Sequence, residues 1–260
     1  MAYGRVLLAL IALLSVFVRT EISAEINEIQ KAESARIRDL FKETVGNREE
    51  IKLDGDYLQF VLSDAARIIS PENPNESKYF VYVDRNPAKQ LIFICFFDSF
   101  GKNVNIIGAD IVSTGNPVRK GHFLTPVGVF ENTVKNFGYR ALGTKNDKGW
   151  KGLGEKGSRI WDFGWQKTEY KNGGKQIRLL IHATDPIYGE KRLGKRDSKG
   201  CIRISAKLNK FLDHYGVLDD DYEKNRNMKR ASWLLRNDRK PIAFAGKYLI
   251  VGDSSATRPR

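Results

Sequence analysis

Seven consecutive apolar residues, Leu91-Ile92-Phe93-Ile94-Cys95-Phe96-Phe97, constrain the fold of this chain more than any other stretch. A run this short, aromatic and β-branched with no polar alternation, suits a strand covered on both faces. Tyr79-Phe80-Val81-Tyr82-Val83 upstream has the same character, and Asp84-Arg85-Asn86-Pro87 separates the two. The pair reads as a hairpin whose turn is longer than two residues. Further strands are expected over 104–113, 125–130, 159–165, 177–182 and 247–251. Before the hairpin the pattern is helical instead, over about 25–70, with a second helix at 57–69 stopped by Pro71-Glu72-Asn73-Pro74. Two more helices are expected near the C-terminus, one capped by Ser205 and stopped by Gly216, the other over 221–235. The fold class is therefore mainly β, a β-rich α+β domain over 78–252 with a helical N-terminal extension over 25–77 and a polar tail over 253–260, frayed from Ser254. No internal repeat is present.

Residues 6–18, VLLALIALLSVFV, are short for a bilayer span but suit a secretory signal. Arg5 and the amino terminus give the positive end, and Ala24 is the candidate cleavage point, so 1–24 is read as a signal peptide or an uncleaved N-terminal membrane anchor. The expected location is the periplasm or cell envelope. A net charge of +13 favours an anionic partner or a merely solvated basic surface. Export, and the lack of a basic helix or an aromatic nucleic-acid motif, argue against nucleic acid. With neither CxxC nor HxxxH spacing, no metal site is expected, and no cofactor.

The chemistry-bearing residue types gather in one stretch, from Ile181 to Ser205. It holds one of three histidines and one of two cysteines. His182 ends an apolar strand-like run, and Cys201 lies in Ser198-Lys199-Gly200-Cys201-Ile202-Arg203, with a polar loop between them. Brought together, the imidazole takes the thiol proton and the thiolate attacks a carbonyl carbon. Gly200 admits close backbone approach, and its amide and that of Cys201 are candidates to hold an oxyanion. Cys95, in the apolar run, reads as an inert core thiol; a disulfide to Cys201 would remove the nucleophile.

This stretch resembles the catalytic segment of the L,D-transpeptidases, the YkuD-like domain: a His, a spacer, then Ser/Thr-His-Gly-Cys, a hydrophobic residue, and Asn or Arg. The spacer here runs from Ala183 to Asp197. Ala183 stands where Gly is usual and Lys199 where the second His is usual. Two upstream segments, Ser113-Thr114-Gly115 and Thr125-Pro126-Val127-Gly128-Val129-Phe130, match recurrent features of that family. The resemblance implies a sandwiched mixed sheet. It also implies a cysteine acyltransferase acting on peptidoglycan stem peptides, with Cys201 as nucleophile, His182 as base and then acid, and Gly200 and Ser198 supporting the backbone. The acyl group would pass to an amine on a neighbouring stem. Water as acceptor would instead make a carboxypeptidase or amidase, and a non-catalytic wall-binding module is the alternative from another class. A papain-type protease is disfavoured, because there the Cys precedes the His.

Four further residues are candidates for substrate contact. Arg203 suits a two-pronged carboxylate contact or a surface ion pair. Lys199 sets an ammonium near Cys201, where it would favour the thiolate if its side chain points to the sulfur. Trp161, expected to share a strand face with Phe163 and Trp165, either packs in the core or lines a groove. His122 lies in a loop before Thr125, either exposed or brought to the site. The Gly- and Lys-rich segment 143–157 is a surface loop or a lid, and His214 reads as structural, in the last turn of a helix.

Overall fold

The computed structural model describes residues 25–46, 51, 53–147, 149–168 and 175–256. The apolar stretch 6–18 lies outside them. No helix among the described residues is long and apolar enough to cross a membrane. The chain divides into two compact units between Leu40 and Phe41. Residues 25–44 are helical (α1), and the division falls inside that helix.

In the larger unit, β1 (Lys78–Asp84), β2 (Leu91–Asp98) and β3 (Asn103–Ile111) form an antiparallel meander. β9 (Tyr248–Gly252) lies parallel to β1, and β4 (Gly128–Glu131) pairs antiparallel with β9, giving the order β3-β2-β1-β9-β4. The apolar run of β2 is buried on both faces, as its lack of alternation predicts. One face, carrying Phe93, Cys95 and Phe97, packs with Phe80 and Tyr82 against helix α2 (Gly55–Glu72). That helix offers Tyr57, Val61, Ala65 and Ile69, a helical stripe, to the sheet. Burying each such side chain stabilises the unit by roughly 1.5–3 kcal/mol. Asp54 starts α2 by accepting from Tyr57 N at 2.7 Å. Polar pins add direction, since Tyr57 Oη donates to Asp84 and Tyr82 Oη to Asp64, both at 2.9 Å. Both cysteines are free. Cys95 is fully buried, and burial pushes its thiol pKa up.

The second sheet has the order β5-β6-β7-β8, from β5 (Tyr139–Arg140), β6 (Arg159–Thr168), β7 (Lys175–Ala183) and β8 (Ile202–Ile204). β5 to β7 are antiparallel and β7 to β8 parallel, so both sheets are mixed. Helix α3 (Ala206–Tyr215) follows β8. Ser205 caps it by accepting from Leu208 N, and Gly216 ends it with φ 61°. His214 falls in its last turn.

Three expectations are corrected. The helix over 221–235 is two helices, α4 (Asp220–Lys224) and α5 (Lys229–Leu234). Asn225 breaks it, its Nδ2 donating to Asp221 O at 2.8 Å in competition with the backbone ladder. The alternation Trp161–Phe163–Trp165 fails, because a bulge between Asp162 and Trp165, with Gly164 at φ 75°, resets the faces of β6. Trp161 is therefore fully buried and Trp165 is 63% exposed, so Trp161 belongs to the core and lines no groove. The start of the tail is not frayed either: Ser254 Oγ donates to Asp84 at 2.6 Å, and Asp253 pairs with Arg85 at 2.8 Å.

Candidate active site

Strand register assembles the site. Tyr139 lies opposite Ile160, Ile160 opposite His182, and His182 opposite Arg203. One row thus crosses the whole second sheet, and residues in such a row point to the same face. Cys201 comes just before β8 and joins that face, packing against Ala141, Ile160 and Leu180. The four segments are far apart in sequence; the sheet makes them neighbours.

Three short motifs converge on the turn that carries the thiol. Thr125 Oγ1 donates to Gly200 O and accepts from Gly115 N, both at 2.8 Å. Ser113 exchanges both backbone hydrogen bonds with Arg203, at 2.9 and 3.0 Å, along the outer edge of β8. Thr114 O accepts from both Asp197 N and Ser198 N at 3.0 Å. Gly115 admits no side chain, since a Cβ there would stand 1.9 Å from Phe123 O. Inside the turn, Ser198 Oγ donates to Cys201 O at 2.5 Å and accepts from Gly200 N at 3.0 Å. Gly200 holds φ 134°, a left-handed value that glycine alone adopts readily. Its amide is committed to Ser198, so it is not one of the free donors expected for an oxyanion.

Burial and bonding set the charge of the two central groups. His182 is 4% exposed, and burial lowers its pKa to about 4; the contact to Ala183 O opposes the shift and Arg203 adds to it. The imidazole is neutral near pH 7. Its Nδ1 lies 2.7 Å from Ala183 O, a carbonyl that can only accept, so Nδ1 carries the proton and Nε2 has the free lone pair. Burial raises the Cys201 pKa, while the Leu180 N–H and Arg203 lower it. The thiol donates to Arg178 O at 3.7 Å, and no hydrogen bond joins it to His182 among the described residues. The resting pair is a neutral thiol beside a neutral imidazole.

Lys199 is exposed and is not among the cations acting on Cys201; Arg203 is. The expectation that Lys199 favours the thiolate is corrected accordingly. Its carbonyl accepts from Phe123 N at 3.2 Å, and its charge bears on His122. Ala183 is buried against the 143–157 loop, where a Cβ on Gly154 would come within 2.8 Å of the Ala183 methyl. The loop therefore accommodates the methyl with a glycine of its own. Its tip docks on the spacer: Lys151 N donates to Asp185 at 2.9 Å, and Trp150 stacks on Tyr188 with Arg192 over its ring. Beside it opens a cavity of about 520 Å³, lined by Tyr139, Leu142, Leu153 and Trp233 among others.

Sequence reasoning passed over Tyr139, Asp162, Arg178, Arg119 and Asp197. Asp162 accepts from Arg178 Nε at 2.7 Å, and both bear on the Tyr139 hydroxyl, whose pKa burial raises first and Asp162 and Cys201 further. Strand register makes these three residues neighbours, while Arg119 and Asp197 meet through loops, at 2.6 Å.

Two mixed sheets bearing a free thiol and a neutral imidazole on one face define a class, β-rich domains with a thiol–imidazole site. The chain belongs to the L,D-transpeptidase catalytic domain family (YkuD), whose model matches residues 77–219. No curated protein matches the chain.

Proposed function

We propose that the protein is an exported cysteine L,D-transpeptidase acting on peptidoglycan stem peptides in cell-wall remodelling, held at the envelope as a secreted or N-terminally anchored chain. The observation that carries this reading is the Nδ1 contact of His182 to Ala183 O, which leaves Nε2 as a base on the face that carries Cys201.

The steps follow from that pair. Rotation about the Cys201 side chain turns the S–H from Arg178 O to Nε2. The imidazole takes the proton as sulfur bonds to the stem carbonyl carbon. The Cys201 amide and the Tyr139 hydroxyl are the candidate donors to the oxyanion. Collapse breaks the C–N bond, and His182 gives its proton to the departing D-alanine amine, leaving a thioester. A stem amine then attacks that carbonyl, His182 takes its proton, and the thiol leaves reprotonated.

Chromatography of a tetrapeptide stem incubated with the protein tests this. Free D-alanine and a cross-linked dimer are expected with the native chain and not with Cys201→Ala or His182→Asn. Equal product from Cys201→Ala would remove the mechanism.

A further inference from the structure

Beyond the thiol–imidazole pair, one charged cluster on this face is out of balance. Asp197, 5% exposed, is the single carboxylate on which three guanidiniums converge. Arg119 reaches its Oδ1 at 2.6 Å, Arg192 the same oxygen at 2.5 Å, and Arg203 its Oδ2 at 3.0 Å. Lys199 bears on His122, as Arg119 and Arg203 do. Among the described residues Arg119 and Arg203 each give one side-chain N–H bond, to Asp197, out of the five donors a guanidinium carries. Arg192, by contrast, is also engaged over Trp150. A single carboxylate cannot satisfy or neutralise this many cations.

A second observation points the same way. His122 Nδ1 is shielded from solvent and has no hydrogen-bond partner among the described residues. Its backbone N–H donates to Arg119 O, and the next residue, Phe123, is tied to Lys199 O. The loop therefore holds an unpartnered ring nitrogen among the cations. Unsatisfied buried polar atoms are rare, and each calls for an explanation.

We propose that Arg119, Lys199 and Arg203, with His122, form an anion subsite beside Cys201 that receives the free carboxylate of the leaving residue. The choice of carboxylate rests on the transpeptidase reading and on distance. His182 must reach the leaving nitrogen to protonate it. The carboxylate of that same residue lies one residue length farther, about 3.5 Å. Arg203 is the residue directly opposite His182 on the neighbouring strand, the two backbones about 4.8 Å apart and both side chains on one face. A residue whose amine meets the imidazole thus sets its carboxylate against the guanidinium. The subsite makes the enzyme selective for donors that end in a free acid at the position being expelled.

Two alkylating reagents test the subsite without any stem peptide. Iodoacetate and iodoacetamide both replace iodide with the Cys201 sulfur and differ only in carrying a carboxylate or an amide. Their rate ratio cancels any change in thiolate fraction. For the native chain the ratio is expected to exceed that of free cysteine by about tenfold or more, and to fall as salt is raised. Arg119→Gln and Lys199→Gln should each lower it several-fold, while Lys224→Gln, on the remote helix α4, should leave it unchanged. A native ratio equal to that of free cysteine, or one untouched by both substitutions, overturns the subsite. Its occupant is read separately, from acylation of Cys201 by stems with a free or an amidated terminal carboxylate. Faster acylation by the free acid, lost in Arg119→Gln, supports the assignment; equal rates overturn it. A high alkylation ratio with no acylation by either stem would retain the anion subsite and remove the transpeptidase reading.

Discussion

One hydroxyl holds the turn on which the thiol sits. Ser198 Oγ bridges Gly200 N and Cys201 O in a fully buried position. Ser198→Ala leaves a buried amide and a carbonyl without that partner, which should cost about 1–3 kcal/mol. Urea denaturation should show the loss, and acyl-enzyme formation should slow as the turn loosens; an unchanged midpoint would contradict the bridge. Cys201 and His182 were legible in the sequence because rare residue types stood in an ordered motif. The direction of Lys199 was not. Adjacency along the chain suggests closeness to the sulfur, but Gly200 at φ 134° turns the backbone between them. The cation that reaches the thiol, Arg203, lies on the far side of Cys201 and is aimed by pairing with His182.

At the scale of elements, strands were legible wherever composition alone specifies them, as in β1 and β2. The bulge in β6 was not, because alternation continues in the letters while Gly164 resets the faces. The 143–157 loop was recognisable as a loop by its glycines, but its docking depends on Tyr188 and Asp185, supplied by the distant spacer. Trp150→Ala removes the stack and the cation over it, a contact on the order of 1 kcal/mol. Hydrogen exchange should then quicken through 143–157 with little change in global stability. Exchange unchanged in the variant would show that the aromatic stack does not hold the loop.

Across the whole molecule, buried charge ties the sheet to the C-terminal helices. Asp219, fully buried, accepts from Arg159 Nη2 at 3.2 Å, Arg239 Nη2 at 2.5 Å and Asn132 Nδ2 at 3.1 Å. Asp219→Ala leaves the buried Arg159 guanidinium without its carboxylate, while Arg239 keeps Glu223 at 2.8 Å, and should cost about 3–5 kcal/mol, read as a lowered denaturation midpoint. His182 makes stability depend on pH. Its folded pKa, about 4, lies below the ordinary 6.5, so the unfolded chain binds the proton first as pH falls. The stability it preserves is full above 6.5 and is lost between 6.5 and 4, on the order of 3 kcal/mol in all. His182→Gln should flatten that part of the profile; the same slope in the variant would assign it elsewhere. The central claim, that Cys201 forms a thioester with a wall stem, is tested most directly by intact mass after incubation with a tetrapeptide stem. An adduct of the stem less its terminal D-alanine is expected, mapped to the peptide containing Cys201 and absent in Cys201→Ala. An unmodified chain, or an adduct on another residue, would contradict it.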